Sequence, residues 1–96
     1  MKEVLKDLDK AFENRIRLGI MSALIVNDCI DFNGLKSLLG VTDGNLASHL
    51  KSLEKSDYID YKKEFLGRKP NTVYAATKKG TEAFKKHINA IEQLLK

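Results

Sequence analysis

The chain is 96 residues long, 43% hydrophobic and 31% charged, with a formal charge of +4. That length and balance fit one globular domain spanning 1–96 and exclude a disordered chain. The longest apolar run, Ile20 to Val26 interrupted by Ser22, is too short to span a bilayer, and the early acids Glu3, Asp7 and Asp9 argue against a targeting peptide, so a cytoplasmic protein without a membrane partner is expected.

Met1 to Lys10 reads as a short helix with Val4, Leu5 and Leu8 on one side, and Phe12 continues that apolar contact. Asn14 can cap a second helix running to about Asn27. Its apolar positions Ile16, Ile20, Met21, Ala23, Leu24 and Ile25 are nearly all-round, the mark of a buried spine. Arg15 and Arg17 open this helix, where its dipole gives a cation no support, so they are solvated or placed for an external anion; solvation is the preferred reading.

The turn pair Asn27-Asp28 leads into Cys29 to Phe32, a brief edge strand. A lone Cys29 can form neither an intrachain disulfide nor a thiolate metal site, and beside an apolar run it is expected to be a small buried hydrophobe. Asn33 can cap a third helix from Gly34 to Leu39, which Gly40 ends. Only Gly40, Val41 and Thr42 separate it from a fourth, so the two helices form a helix-turn-helix.

That fourth helix, 42–55, is the centre of the chain. Thr42 suits its N-cap, and Leu46, Leu50 and Leu53 fall on one face at i, i+4 and i+7. The opposite face carries Gly44, Ser48, Lys51, Ser52 and Lys55, with Asn45 on its flank, and no acid lies between Gly44 and Leu53. A small, polar, neutral-to-basic face is one that a DNA major groove accepts. Asn45 has the donor and acceptor an adenine edge requires, Ser48 permits close approach, and Lys51 and Lys55 suit phosphates or plain solvation. His49 is either a phosphate contact or a helix-packing residue. Asp43 suits the dipole but would repel DNA, so it should face away or cap.

From Tyr58 the period becomes that of a strand, Ile59, Tyr61 and Phe65 opposing Asp60, Lys62 and Glu64. The cluster Leu66 to Asn71 is a basic loop holding Arg68, Lys69 and Pro70, and Thr72 to Ala76 returns as the second strand of a hairpin. Arg68 could enter a minor groove while Lys69 grips its backbone. Thr77 can cap a last helix, 78–96, whose Phe84, Ile88, Ile91 and Leu95 form a heptad seam. This seam and the stripe Val4, Leu5, Leu8 look surplus to one small core, so the terminal helices 1–12 and 78–96 are expected to form a homodimer interface.

NRIRLGIMSAL (Asn14–Leu24), FNGLKSLLGVTDGNLASHLKSLEKSDYI (Phe32–Ile59) and FLGRKPNTVYAATKKG (Phe65–Gly80), in this order, resemble the compact winged helix-turn-helix regulators of the MarR/ArsR-like group, and among them the small "winged helix DNA-binding domain" regulators. The resemblance implies a mainly α fold with a small β-hairpin wing. It also implies a homodimer on double-stranded DNA as a transcriptional regulator, with reading helices in successive major grooves. By position it puts Thr42, Gly44, Asn45, Ser48, His49 and Lys51 on the reading helix, and Arg68 and Lys69 on the wing, 66–71. Metal-sensing relatives use cysteine and histidine clusters. Here Cys29, His49 and His87 are widely spaced, so no metal or other cofactor is expected. No residues name a small-molecule effector. An enzyme is not expected, because no phosphate loop or nucleophile–base pattern is present. The competing function is a winged-helix protein-interaction module that never touches DNA.

Overall fold

The computed structural model describes residues 1–96 and runs α1 (Lys2–Leu5), a 3-10 turn (Lys10–Phe12), α2 (Arg15–Ile25), β1 (Ile30–Asp31), α3 (Phe32–Leu39), α4 (Asp43–Lys55), β2 (Ile59–Leu66), β3 (Lys69–Ala76) and α5 (Lys78–Leu94). The fold is mainly helical with a small hairpin wing, as the element order implied. The strands form one antiparallel sheet in the order β1-β3-β2, with Ile30 opposite Tyr74 and Ile59 opposite Ala76. No helix is long and apolar enough to cross a membrane.

The helix starts are set by side chains that accept otherwise unpaired first-turn N–H groups. Asn14 Oδ1 accepts from Ile16 and Arg17, Thr42 Oγ1 from Asn45 at 3.2 Å, and Thr77 Oγ1 from Gly80 at 2.9 Å. For α3 the cap is Asp31, whose Oδ1 accepts from Gly34 at 2.7 Å, and not Asn33, which already lies inside the helix. Gly40 ends α3 in the left-handed region at φ 63°, where a side chain would be strained. The N-terminal helix is shorter than its apolar pattern suggested. Asp9 diverts the chain: its carboxylate caps Ala11, and its N–H donates to Nδ1 of His87 at 2.9 Å. A new turn therefore begins at Lys10, where the pattern had suggested a single helix.

Ten buried side chains make the core: Phe12, Ile20, Met21, Leu24, Leu35, Leu46, Leu50, Leu53, Ile59 and Phe84. α4 supplies three of these leucines. Burying each contributes about 1.5–3 kcal/mol. Gly44 costs the helix only about 1 kcal/mol, and Asn45 or Ser48 less. The leucines therefore hold a helix whose outer face is a poor helix former. Phe12 joins the terminal segments to this core. It stacks on Tyr58 at 5.3 Å between centroids and meets Phe84 and His87 edge-on at 5.2 and 5.4 Å. Cys29 is exposed, against expectation, because it precedes the short edge strand at the sheet's rim and not the apolar helix.

Candidate nucleic-acid interface

The three leucines turn inward and leave Gly44, Asn45, Ser48, Lys51, Ser52 and Lys55 exposed along α4. A Cβ at Gly44 would meet nothing within 4 Å, so the first turn offers open space to an approaching surface. The carboxylate of Asp43 is held 2.7 Å from Nζ of Lys36, on the preceding helix. That pair offsets the one acid in the first turn of α4, leaving the N–H groups there that Thr42 does not cap suited to an anion.

The two arginines of α2 part company. Arg15 is exposed and lines an open cleft of about 380 Å³ with Ile16, Leu39, Gly40, Val41, Thr42 and Asn45, beside the N-terminus of α4. Arg17 is not solvated as the sequence had suggested. Its Nε donates to Ala11 O at 2.6 Å, its Nη2 to Lys10 O at 3.4 Å, and its Nη1 lies 3.1 Å from Nδ1 of His49. A guanidinium only donates, so Nδ1 is the acceptor. His49 is thus half-buried and engaged in helix packing, off the exposed face. No short motif around either arginine distinguishes them, since Arg17's partners lie in the preceding turn and 32 residues along the chain.

The wing is longer and its loop shorter than the sequence indicated. β3 begins at Lys69, and Leu66 pairs directly with Lys69, so Gly67 and Arg68 alone make the turn. Gly67 sits at φ 68°, as the first central residue of a type II′ hairpin turn does. Pro70 is in the strand opposite Phe65 and not in the loop. Proline is admissible there because β1 pairs only Val73 and Tyr74, leaving β3 an open edge at Pro70. Arg68 and Lys69 are exposed at the tip, and the three ion pairs of the molecule lie elsewhere.

At the other end, α1 packs against α5. The proposed seam divides there. Phe84 is buried within its own core and Ile88 packs against it, so neither is surplus to the monomer; Val4 and Leu8 are half-buried. Leu5, Ile91 and Leu95 remain exposed, Leu95 at 83%.

This arrangement of a helix-turn-helix, an adjoining basic hairpin and a closing helix has counterparts. The profile of the winged helix DNA-binding domain matches residues 16–95. The chain belongs to that family. An uncharacterized protein of Methanocaldococcus jannaschii is 39% identical over 87 residues, covering 91% of this chain and 95% of the relative. The structure of a transcriptional regulator homologue from Pyrococcus horikoshii OT3 superposes with a TM-score of 0.86 at 31% identity, over 98% of this chain and 91% of the other. A chain from Bacillus cereus ATCC 10987, assigned to the MarR-like transcription regulators, shares the fold with a TM-score of 0.71 at 21% identity, covering 98% and 70%. The winged helix DNA-binding domain family thus accounts for the element order and for a DNA-binding role in general terms.

Proposed function

We propose that this winged-helix protein is a cytoplasmic, homodimeric transcriptional regulator that binds double-stranded DNA with sequence preference. The observation that carries the proposal is the outer face of α4: exposed, small, polar and basic, with its one N-terminal carboxylate offset by Lys36. Asn45 and Ser48 address base edges in the major groove, with Gly44 allowing the close approach. Lys51 and Lys55 take phosphates, and Thr42 orders the first turn. Arg15 joins them, since its cleft opens beside the same helix end. Arg68 and Lys69 lie on the flanking minor groove and backbone. His49 acts by holding α4 to Arg17 and not by touching DNA. The dimer forms through Leu5, Ile91 and Leu95, with Val4, Leu8 and the outer edge of Ile88 behind them.

The test is a titration against the protein's own upstream DNA and a scrambled duplex at two salt concentrations. Tight binding that prefers the native sequence at two protomers per site is expected. Arg68→Ala should lower the slope of log K against log salt by roughly 0.9 for every phosphate that the wing no longer neutralises. Weak binding, equal on both duplexes and abolished by moderate salt, would leave only the charge effect and favour a protein-interaction module.

A further inference from the structure

The wing tip combines two properties that a phosphate clamp does not need together. Phe65 and Leu66 are 71% and 62% exposed, although they are large and apolar. They lie next to one another in β2, so their side chains point to opposite faces of the ribbon. Phe65 shares its face with Pro70, directly across the hairpin, and Leu66 is opposite Lys69. The tip is therefore apolar on both faces. Around it lie Lys62, Lys63, Arg68 and Lys69, against Glu64 as the only acid from Lys62 to Lys69. An apolar tip in a ring of cations is poorly matched to a second basic copy of this chain, but it is complementary to stacked bases between two rows of phosphates.

The geometry narrows the occupant further. A two-stranded ribbon, with strands about 4.8 Å apart before side chains are added, is too broad for a minor groove about 6 Å wide. It enters only if the groove is opened. Apolar wedges do this by parting a base step, which kinks the duplex toward the major groove. Such a wedge is a single apolar side chain entering from the groove edge, and apolar surface beside it then lies against the sugars of the groove wall.

We propose that the wing tip is such a wedge: Phe65, backed by Pro70 on its own face, parts a base step in the minor groove and bends the DNA, Leu66 lies against the sugars of the groove wall, and Arg68 and Lys69 hold the phosphates beside it. The proposal rests on the DNA-binding reading above and adds the manner of engagement. It implies a preference for pyrimidine–purine steps under the wing, because TA and CA steps unstack most readily. That preference needs no hydrogen bond to a base.

The experiment uses the full chain and a duplex of about 30 base pairs carrying the site the protein selects from a random pool. The duplex bears donor and acceptor dyes at its ends and 2-aminopurine at the step under the wing. Binding should raise the 2-aminopurine fluorescence and report a bend of roughly 20–90° by energy transfer. The variant Phe65→Ser with Leu66→Ser keeps every cation and alters only exposed positions. It should bind with an unchanged salt slope and lose both the bend and the fluorescence rise. Native-like thermal unfolding of the variant verifies that its fold is kept. Wild-type binding without bending or unstacking overturns the wedge and leaves the DNA-binding reading intact. No binding to any duplex overturns both. A variant that keeps the bend, or that changes the oligomeric state, assigns the tip to another role and overturns the wedge.

Discussion

Asn45 has its backbone and side chain committed differently. Its N–H donates to Thr42, so helix formation makes no demand on the carboxamide, which stays exposed. Asn45→Ala is therefore expected to leave folding stability within about 0.5 kcal/mol of wild type, while discrimination between native and scrambled duplex falls by about 1–3 kcal/mol. Equal weakening on both duplexes in a competition assay would refute base contact. Tyr58 is the reverse case, a side chain committed to the fold. Its hydroxyl donates to Asp9 Oδ2 at 2.5 Å, and this bond, then burial, then the carboxylate's charge hold its pKa up at about 12 against an ordinary 10.0. The fold favours the protonated phenol, so the contribution is fully present below pH 10.0 and is lost as pH rises through about 12. Urea midpoints should fall over that window in wild type and fall less in Tyr58→Phe; parallel declines would exclude Tyr58 as the cause. The exposed position of Asn45 was legible from helical phase alone. Arg17, His49 and Tyr58 were not, because their partners lie 6 to 49 residues away and meet only once the core has formed.

Between elements, Gly80 of α5 lies tightly against Tyr58. A Cβ built there would collide with the carbonyl oxygen of Tyr58, a backbone atom that cannot swing aside. The N-terminal turn of α5 can therefore lie against the start of the wing only if it carries glycine. Gly80→Ala should destabilise the domain by at least the upper end of the roughly 1–3 kcal/mol typical of overpacking. A melting temperature within experimental error of wild type would show that α5 can shift without loss. The existence of all five helices and of the hairpin was legible, since caps and periodicity are local. The errors fall where a distant partner intervenes. His87 draws off the N–H of Asp9 and so breaks the first helix, and pairing with β2 continues β3 through Pro70. Asp31 outcompetes Asn33 as a cap because the chain is still extended there, paired with Val73.

At the scale of the whole molecule, the chain measures 53 × 25 × 21 Å, with apolar residues exposed at its terminal helices. Leu95 is 83% exposed and Leu5 51%, so they contribute little to the monomer's core. In the proposed dimer, replacing both with serine should leave the fold intact, shift sedimentation toward a monomer and weaken DNA binding, because two linked helices gain effective concentration that single ones lack. An unchanged dimer in this double variant would place the interface elsewhere. The heptad spacing that pointed to this end was informative only in part. Spacing identifies a stripe, but which members of it remain outside the core depends on how far Phe12 and Phe84 reach toward each other.

Between α4 and the wing the chain has almost no slack. Asp57 turns it in one residue at φ 60°, and Thr77 fixes the turn from the far side, donating its hydroxyl to Asp57 O and its N–H to Tyr58 O. On the proposed reading, with α4 in the major groove and a dimer through the terminal helices, a lineage that inherited this junction could not retarget its DNA by lengthening a loop between α4 and the wing. It would have to exchange side chains on α4, or let the spacing between protomers drift through the terminal helices. The two halves of an operator would then diversify at different rates, with letters changing within each half and distance changing between them.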